Sequence, residues 1–230
     1  TCLIITVSAI IIKTLGKALN AFEVVMLRCA ITTLITITLN YQIGKLLFTT
    51  SNPKLMTVRS IATCFVVLGN FYAISELPLV EVTSLQFSKP LFLIVLAAVF
   101  LNEKIRLRRT SATILGFIGI LIVLHPWDNV GNQGFRIAHF SVLGAAFLMA
   151  TLAIISKILT KDHKPATLVL YANIATELIC AGPAFYFWVT PTLFQMSLIA
   201  MLGVTTFCAQ YCMISAYKHA EVTVVTPFEY

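Results

Sequence analysis

Apolar residues come in runs of about twenty along this chain, broken by short polar stretches. A helix of that length at ~1.5 Å per residue matches the roughly 30 Å hydrocarbon core of a bilayer. The runs predict spanning helices over 2–19, 22–41, 53–77, 82–101, 107–124, 139–159, 166–189 and 191–217, and a ninth opens at Glu221. Asn20-Ala21, the polar stretch 42–52 and the Pro78-Leu79 turn separate the early runs. The stretch 128–134 holds Asn129, Gly131, Asn132 and Gly134 and is the longest flexible connection. It divides the chain into a first unit, 1–126, a linker, 127–138, and a second unit, 139–230. The fourth run is unusual because Lys89 and Pro90 lie in its middle. Proline frees a backbone carbonyl, and an ammonium in lipid costs about 2.5 to 3.5 kcal/mol. That helix is therefore expected to face protein or water and not lipid.

Composition sharpens the picture. Hydrophobic residues make up 59% of the 230 and charged residues 11%, with a mean hydropathy of +0.93, which excludes a soluble domain. The net charge of +7 does not indicate nucleic acid, because the cations sit in short loops without interleaved aromatics. The six cysteines fall inside apolar runs without CxxC spacing, so they read as small core residues and not as disulfides or zinc ligands. Thr1 already opens an apolar run without a basic leader, and Tyr230 falls where a span is starting, so both ends are expected to continue in the natural protein.

Loop charge then gives orientation. With the first helix starting in the cytoplasm, that side collects Lys45, Lys54, Arg59, Lys104, Arg106, Arg108, Arg109, Lys161, Lys164 and Lys218, against Arg136 opposite. Such a bias puts the N-terminus on the cytoplasmic side of a cell (inner) membrane. An internal repeat accompanies it. The offset of 140 residues that relates Lys17 to Lys157 also relates Asn70 to Gln210, Phe71 to Tyr211, Ser75 to Ser215, and Glu81-Val82-Thr83 to Glu221-Val222-Thr223. Five spans per repeat is odd, so the second copy enters the membrane inverted. Inverted repeats are a transporter architecture with substrate held near the midplane. The fold class expected is all-α and polytopic, two inverted five-helix repeats.

Four stretches carry a family resemblance: FEVVMLRC at 22–29, FSKPLF at 87–92, FLNEKI at 100–105 and GFIGILIVLHP at 116–126. In these the chain resembles the drug/metabolite transporter superfamily in its EamA-type branch, and within that branch it is most similar to the S-adenosylmethionine uptake carriers of obligate intracellular bacteria. The resemblance implies ten spans in two five-span repeats, a central cavity and both termini in the cytoplasm.

Charges within spans are candidates for function. Arg28 lies about two turns into the second run, and its guanidinium fork suits a carboxylate; snorkelling, or a pair with Glu23, is the structural alternative. Lys17 and Lys157 hold equivalent helix ends, either as snorkelling cations or as a shared site or gate. Glu177 lies mid-span with Asn173 four residues earlier on the same face. A carboxylate at that depth must be paired, hydrated or protonated; it could meet a substrate amine, relay a proton or pair with Arg28. Glu229 follows Pro227, and Pro227 maps by the offset to Phe87, one turn from Pro90, so interrupted helices fall in matching places. Asn70 and Gln210 are paired amides that either bond helices together or line a cavity. Phe71 and Tyr211 beside them could stack on a planar base or a cation; Tyr72, Tyr171 and Tyr230 are weaker aromatic candidates. Glu81 and Glu221 complement helix N-termini, and Glu103 is expected to pair with its neighbouring cations.

No phosphate-binding loop, metal cluster or activated nucleophile is present, so no cofactor and no enzymatic activity are expected. The function expected is secondary transport of a small polar metabolite, S-adenosylmethionine by resemblance, with Arg28 and Lys17 on its carboxylate, Glu177 or Glu229 on its positive end and Phe71 or Tyr211 on its base. An exporter of amino acids or drugs is the alternative within the class, an intramembrane enzyme the alternative outside it. Self-association into a homodimer is left open.

Overall fold

The chain folds as a succession of helices: α1 (Cys2–Leu15), α2 (Ala21–Leu39), α3 (Pro53–Glu76), α4 (Leu79–Gln86), α5 (Lys89–Leu101), α6 (Leu107–Leu124), α7 (Ile137–Leu159), α8 (Pro165–Tyr186), α9 (Leu193–His219) and α10 (Val222–Val225). These come from a computed structural model that describes residues 2–16, 19–41, 47, 49–101, 107–124, 137–220 and 222–225, and no strand occurs among them. By length and composition α2, α3, α7, α8, α9 and the stretch 79–100 can each cross a membrane.

Helix starts follow local chemistry. Asn20 caps α2 by accepting the Phe22 N–H at 3.1 Å. α3 and α8 open on Pro53 and Pro165, whose missing N–H is not needed there. α9 has a reciprocal cap: Thr192 Oγ1 accepts the Gln195 N–H, and Gln195 Oε1 accepts the Thr192 N–H at 2.8 Å. The run expected to reach 189 ends at Tyr186, since Pro191 holds Thr190 out of helical backbone.

The fourth run divides where Pro90 cannot donate to Gln86. The ladder is carried across by two tighter bonds, Phe87 N–H to Ser84 O and Ser88 N–H to Leu85 O. The break therefore falls at 87–88 and Pro90 is the second residue of a new helix, not the middle of a continuous one. Lys89 is 1% exposed, so it faces protein as expected.

Hydroxyls inside the spans satisfy themselves. Thr32, Thr36, Thr63, Ser75 and Thr176 each donate to the carbonyl four residues earlier, at 2.7–2.9 Å. Such bonds let polar side chains persist where no water reaches. Large apolar side chains such as Leu34, Phe65, Val95, Phe140 and Leu178 point outward, a surface suited to lipid and not to water.

Packing is closest along α2–α8 and α3–α7, followed by α5–α7, α2–α9, α3–α8 and α1–α9. α7 presents a buried stripe of small residues, Ala138, Ala145, Ala146, Ala150 and Ala153, which lets neighbouring backbones approach. α2 and α9 meet at Gly203. A Cβ there would lie 2.6 Å from Ile31 Cγ2 and 2.9 Å from Ile31 Cβ, and the Gly203 carbonyl accepts from Thr32 Oγ1 at 3.2 Å. A branched Cβ cannot swing aside, so Gly203→Ala should destabilise the protein by about 1–2 kcal/mol despite the helix propensity gained. A lowered unfolding midpoint of the purified protein is the check; an unchanged midpoint would mean the helices separate freely.

Candidate functional site

Most of the described candidates stand on four helices, α2, α3, α8 and α9, and two pairs of them meet across helices, Arg28 with Phe71 and Asn173 with Gln210. Arg28 comes from α2 and is 7% exposed. Its Cζ lies 5.9 Å from the centre of the Phe71 ring on α3, a cation–π arrangement. Nη2 faces the Cys29 sulfur at 3.7 Å and Nε has no hydrogen-bond partner. Neither structural alternative for Arg28 is formed. Glu23 Oε2 accepts the Val189 N–H at 3.2 Å while Oε1 is unpartnered, and no described carboxylate pairs with Arg28. An arginine keeps its charge in proteins, so among the described residues this cation is held by a ring face and a thiol.

Glu177 projects from α8 and is half-buried. Its helix packs closely against α2, which carries Arg28. Asn173, buried one turn earlier, donates Nδ2 to Val169 O at 2.8 Å and to Gln210 Oε1 at 3.0 Å. Two candidates from different helices are thus directly bonded. Tyr211 next to Gln210 stacks on Phe207 with ring centres 5.6 Å apart. Asn70 accepts from Gln86 Nε2 at 3.0 Å; Gln86 is the last residue of α4, delivered there by the helix break.

Lys157 lies elsewhere. Its Nζ donates to Tyr217 O at 2.7 Å and Ala220 O at 2.8 Å, closing the C-terminal end of α9. It does not snorkel, and it does not join Arg28. Lys17, Pro227 and Glu229 lie outside the described residues, as do Glu103, Glu221, Tyr230 and most of the linker.

Two further corrections, to Arg59 and to two of the cysteines, follow, with one residue the sequence reading did not use, His163. Arg59, counted above as a loop charge, is 6% exposed inside α3 and donates Nε to Ser156 Oγ at 3.0 Å and Nη1 to Leu168 O at 2.8 Å. His163 is buried in the α7–α8 turn, with Nε2 accepting the Ser51 N–H at 3.0 Å and lying 3.2 Å from Thr50 Oγ1. Of the cysteines, Cys29, Cys64 and Cys180 are buried free thiols as expected, but Cys208 and Cys212 are exposed on α9. For Gln86 a signal was available: an amide shortly before a mid-span proline marks a helix end where side chains turn inward.

A bundle of membrane-crossing helices with a permanent charge buried against an aromatic ring suits a multi-pass membrane transporter. The model of the EamA-like transporter family matches residues 1–125. An S-adenosylmethionine uptake transporter of Rickettsia bellii (strain RML369-C) is 30% identical over 218 residues, 95% of this chain and 74% of that protein. A riboflavin transporter of Brucella anthropi is 29% identical over 164 residues, 69% of this chain and 56% of that one. The pseudopaline exporter CntI of Pseudomonas aeruginosa (strain UCBPP-PA14) is 26% identical over 222 residues, 96% of this chain and 76% of that one. A protein of known crystal structure superposes with a TM-score of 0.74 at 18% identity, covering 97% of this chain and 81% of that one; the fold is shared. This chain belongs to the EamA-like transporter family.

Proposed function

We propose that this transporter takes up or exchanges an S-adenosylmethionine-like metabolite by alternating access. The observation that carries this is Arg28: a buried guanidinium over an aromatic ring, with Nε unpartnered and no described carboxylate beside it. A buried charge is stable only when paired, and a substrate carboxylate is the group its fork fits best. Glu177, on the helix packed most closely against α2, suits the substrate's ammonium or sulfonium. Phe71 and Tyr211 offer ring faces to a purine, and Asn70 and Gln210 offer amides to its edge. Relatives that carry S-adenosylmethionine match along 95% of the chain, the riboflavin carrier along 69%. Lys17 and Glu229 remain candidates for the same site. Lys157, engaged on α9, would reach it only in another conformation.

Packing supports two repeats, 1–126 and 139–230 joined by 127–138. The 140-residue offset exchanges the α3–α7 contact with α9–α1 and the α2–α9 contact with α8–α3, and carries α2–α8 onto itself. Five spans in each complete repeat would make the copies inverted, and the excess of loop cations favours a cytoplasmic N-terminus. No covalent step and no cofactor belong to this mechanism, and nothing beyond a small molecule and the bilayer is needed as a partner. Export is the second reading, favoured by the match to the pseudopaline exporter.

The full-length carrier in liposomes should accumulate labelled S-adenosylmethionine saturably, with unlabelled substrate competing far better than riboflavin. Absence of that uptake, or movement of label only outward, would overturn the assignment.

A further inference from the structure

Arg59 and Arg28 occupy related places. The 140-residue offset carries Arg28 onto Leu168 and Arg59 onto Ile199. Leu168 is the residue whose carbonyl Arg59 holds where α3 crosses α8. At the corresponding crossing of α2 with α9, the Arg28 backbone lies against Gly203, one turn beyond Ile199. The offset thus exchanges the two crossings, and the two arginines belong to opposite ends of the bundle. Their conditions differ. Arg59 makes two hydrogen bonds to α7 and α8, and Arg28 makes none to oxygen. About two turns before Arg59, His163 fastens the α7–α8 connection to Ser51 and Thr50 ahead of α3.

We propose that Arg59 is a gating residue of the transport cycle, locking α3 onto α7 and α8 at the end of the bundle where α3 begins. Substrate leaves there only after the guanidinium releases Ser156 and the Leu168 carbonyl. The inference rests on the two-repeat alternating-access reading. Its chemistry suits a lock that must open. Both acceptors of Arg59 are neutral and no described carboxylate pairs with it, so the bonds are specific without being a buried ion pair, which is strongly destabilising to break. Ser156 and Leu168 belong to the second repeat and Arg59 to the first, so these bonds break only when the repeats move apart. Arg28, unsatisfied in the same structure, is then the cation free to meet substrate while the other end is shut.

The test uses the full-length carrier with its cysteines replaced and Ser60→Cys introduced. Ser60 is buried beside Arg59, and its hydroxyl has no partner, so a thiol fits there. A membrane-impermeant maleimide is applied separately to each face of sealed vesicles. With Arg59 intact, labelling should be slow from both faces. Arg59→Leu should speed it roughly tenfold or more from the face where α3 begins, and S-adenosylmethionine uptake should fall while the thermal shift induced by that substrate persists. Ser156→Ala should move labelling the same way by less, and Arg59→Lys should lie between; these two carry the test if Arg59→Leu does not assemble. Unchanged labelling from both faces in all three variants, with only a lower unfolding midpoint, would make Arg59 a structural residue and end the proposal. Faster labelling in a carrier that never moves S-adenosylmethionine would keep the gate and remove the substrate assignment instead.

Discussion

Arg28→Met should abolish uptake while leaving the empty carrier as stable as before or more so. The two effects separate because Arg28 has no carboxylate partner among the described residues: its desolvation is unrepaid until substrate arrives. Replacing buried ionic groups by apolar residues of similar volume is neutral or stabilising by about 1–4 kcal/mol, and methionine fills the space beside Phe71 with a sulfur that aromatic rings accept. Losing both bonds of a bidentate carboxylate contact, at about 1.5–3 kcal/mol each, lowers uptake efficiency by roughly 10²-fold or more. Arg28→Lys keeps the charge without the fork and should recover only a small part. Uptake per inserted molecule and the unfolding midpoint are the two measurements. A large fall in midpoint with undiminished uptake would make Arg28 a structural residue of the α2–α3 contact.

Lys157→Met should act the other way, on stability before transport. Its ammonium satisfies two carbonyls at the end of α9 where the helix has no further N–H groups to offer. Hydrogen bonds to a charged donor contribute about 1.5–3 kcal/mol each, and the positive charge also complements the negative end of the helix. A net loss of about 2–4 kcal/mol corresponds to a midpoint lower by roughly 5–15 °C for a chain of this size. Carriers that survive should keep their substrate affinity. An unchanged midpoint with a raised KM would return Lys157 to the binding site.

Helical spans were legible because bilayer thickness fixes how long an apolar run must be, and most ends fell within a few residues of the expected ones. The interruption near Pro90 was legible as an interruption but not in position: proline acts on the carbonyl four residues earlier, so the break lies before it. Arg28 and Phe71 were both visible as candidates, yet their contact joins α2 to α3 and no spacing reports it. The same holds for Asn173 and Gln210, whose bond crosses from α8 to α9. Arg59 was misread for a physical reason. It stands six residues into α3, about 9 Å along the axis, a depth from which a long side chain can either reach the interface or turn inward. Only the neighbouring oxygens of Ser156 and Leu168 decide between these, and they lie about a hundred residues away in sequence.

Cys208 and Cys212 stand one turn apart on the outer side of α9, whereas Cys29, Cys64 and Cys180 are shielded in the interior. Two thiols at that spacing accept a bifunctional spin label clamped at both ends, which removes the tether motion that blurs distance measurements. The tilt of α9 through the cycle could thus be followed by electron paramagnetic resonance in the natural sequence.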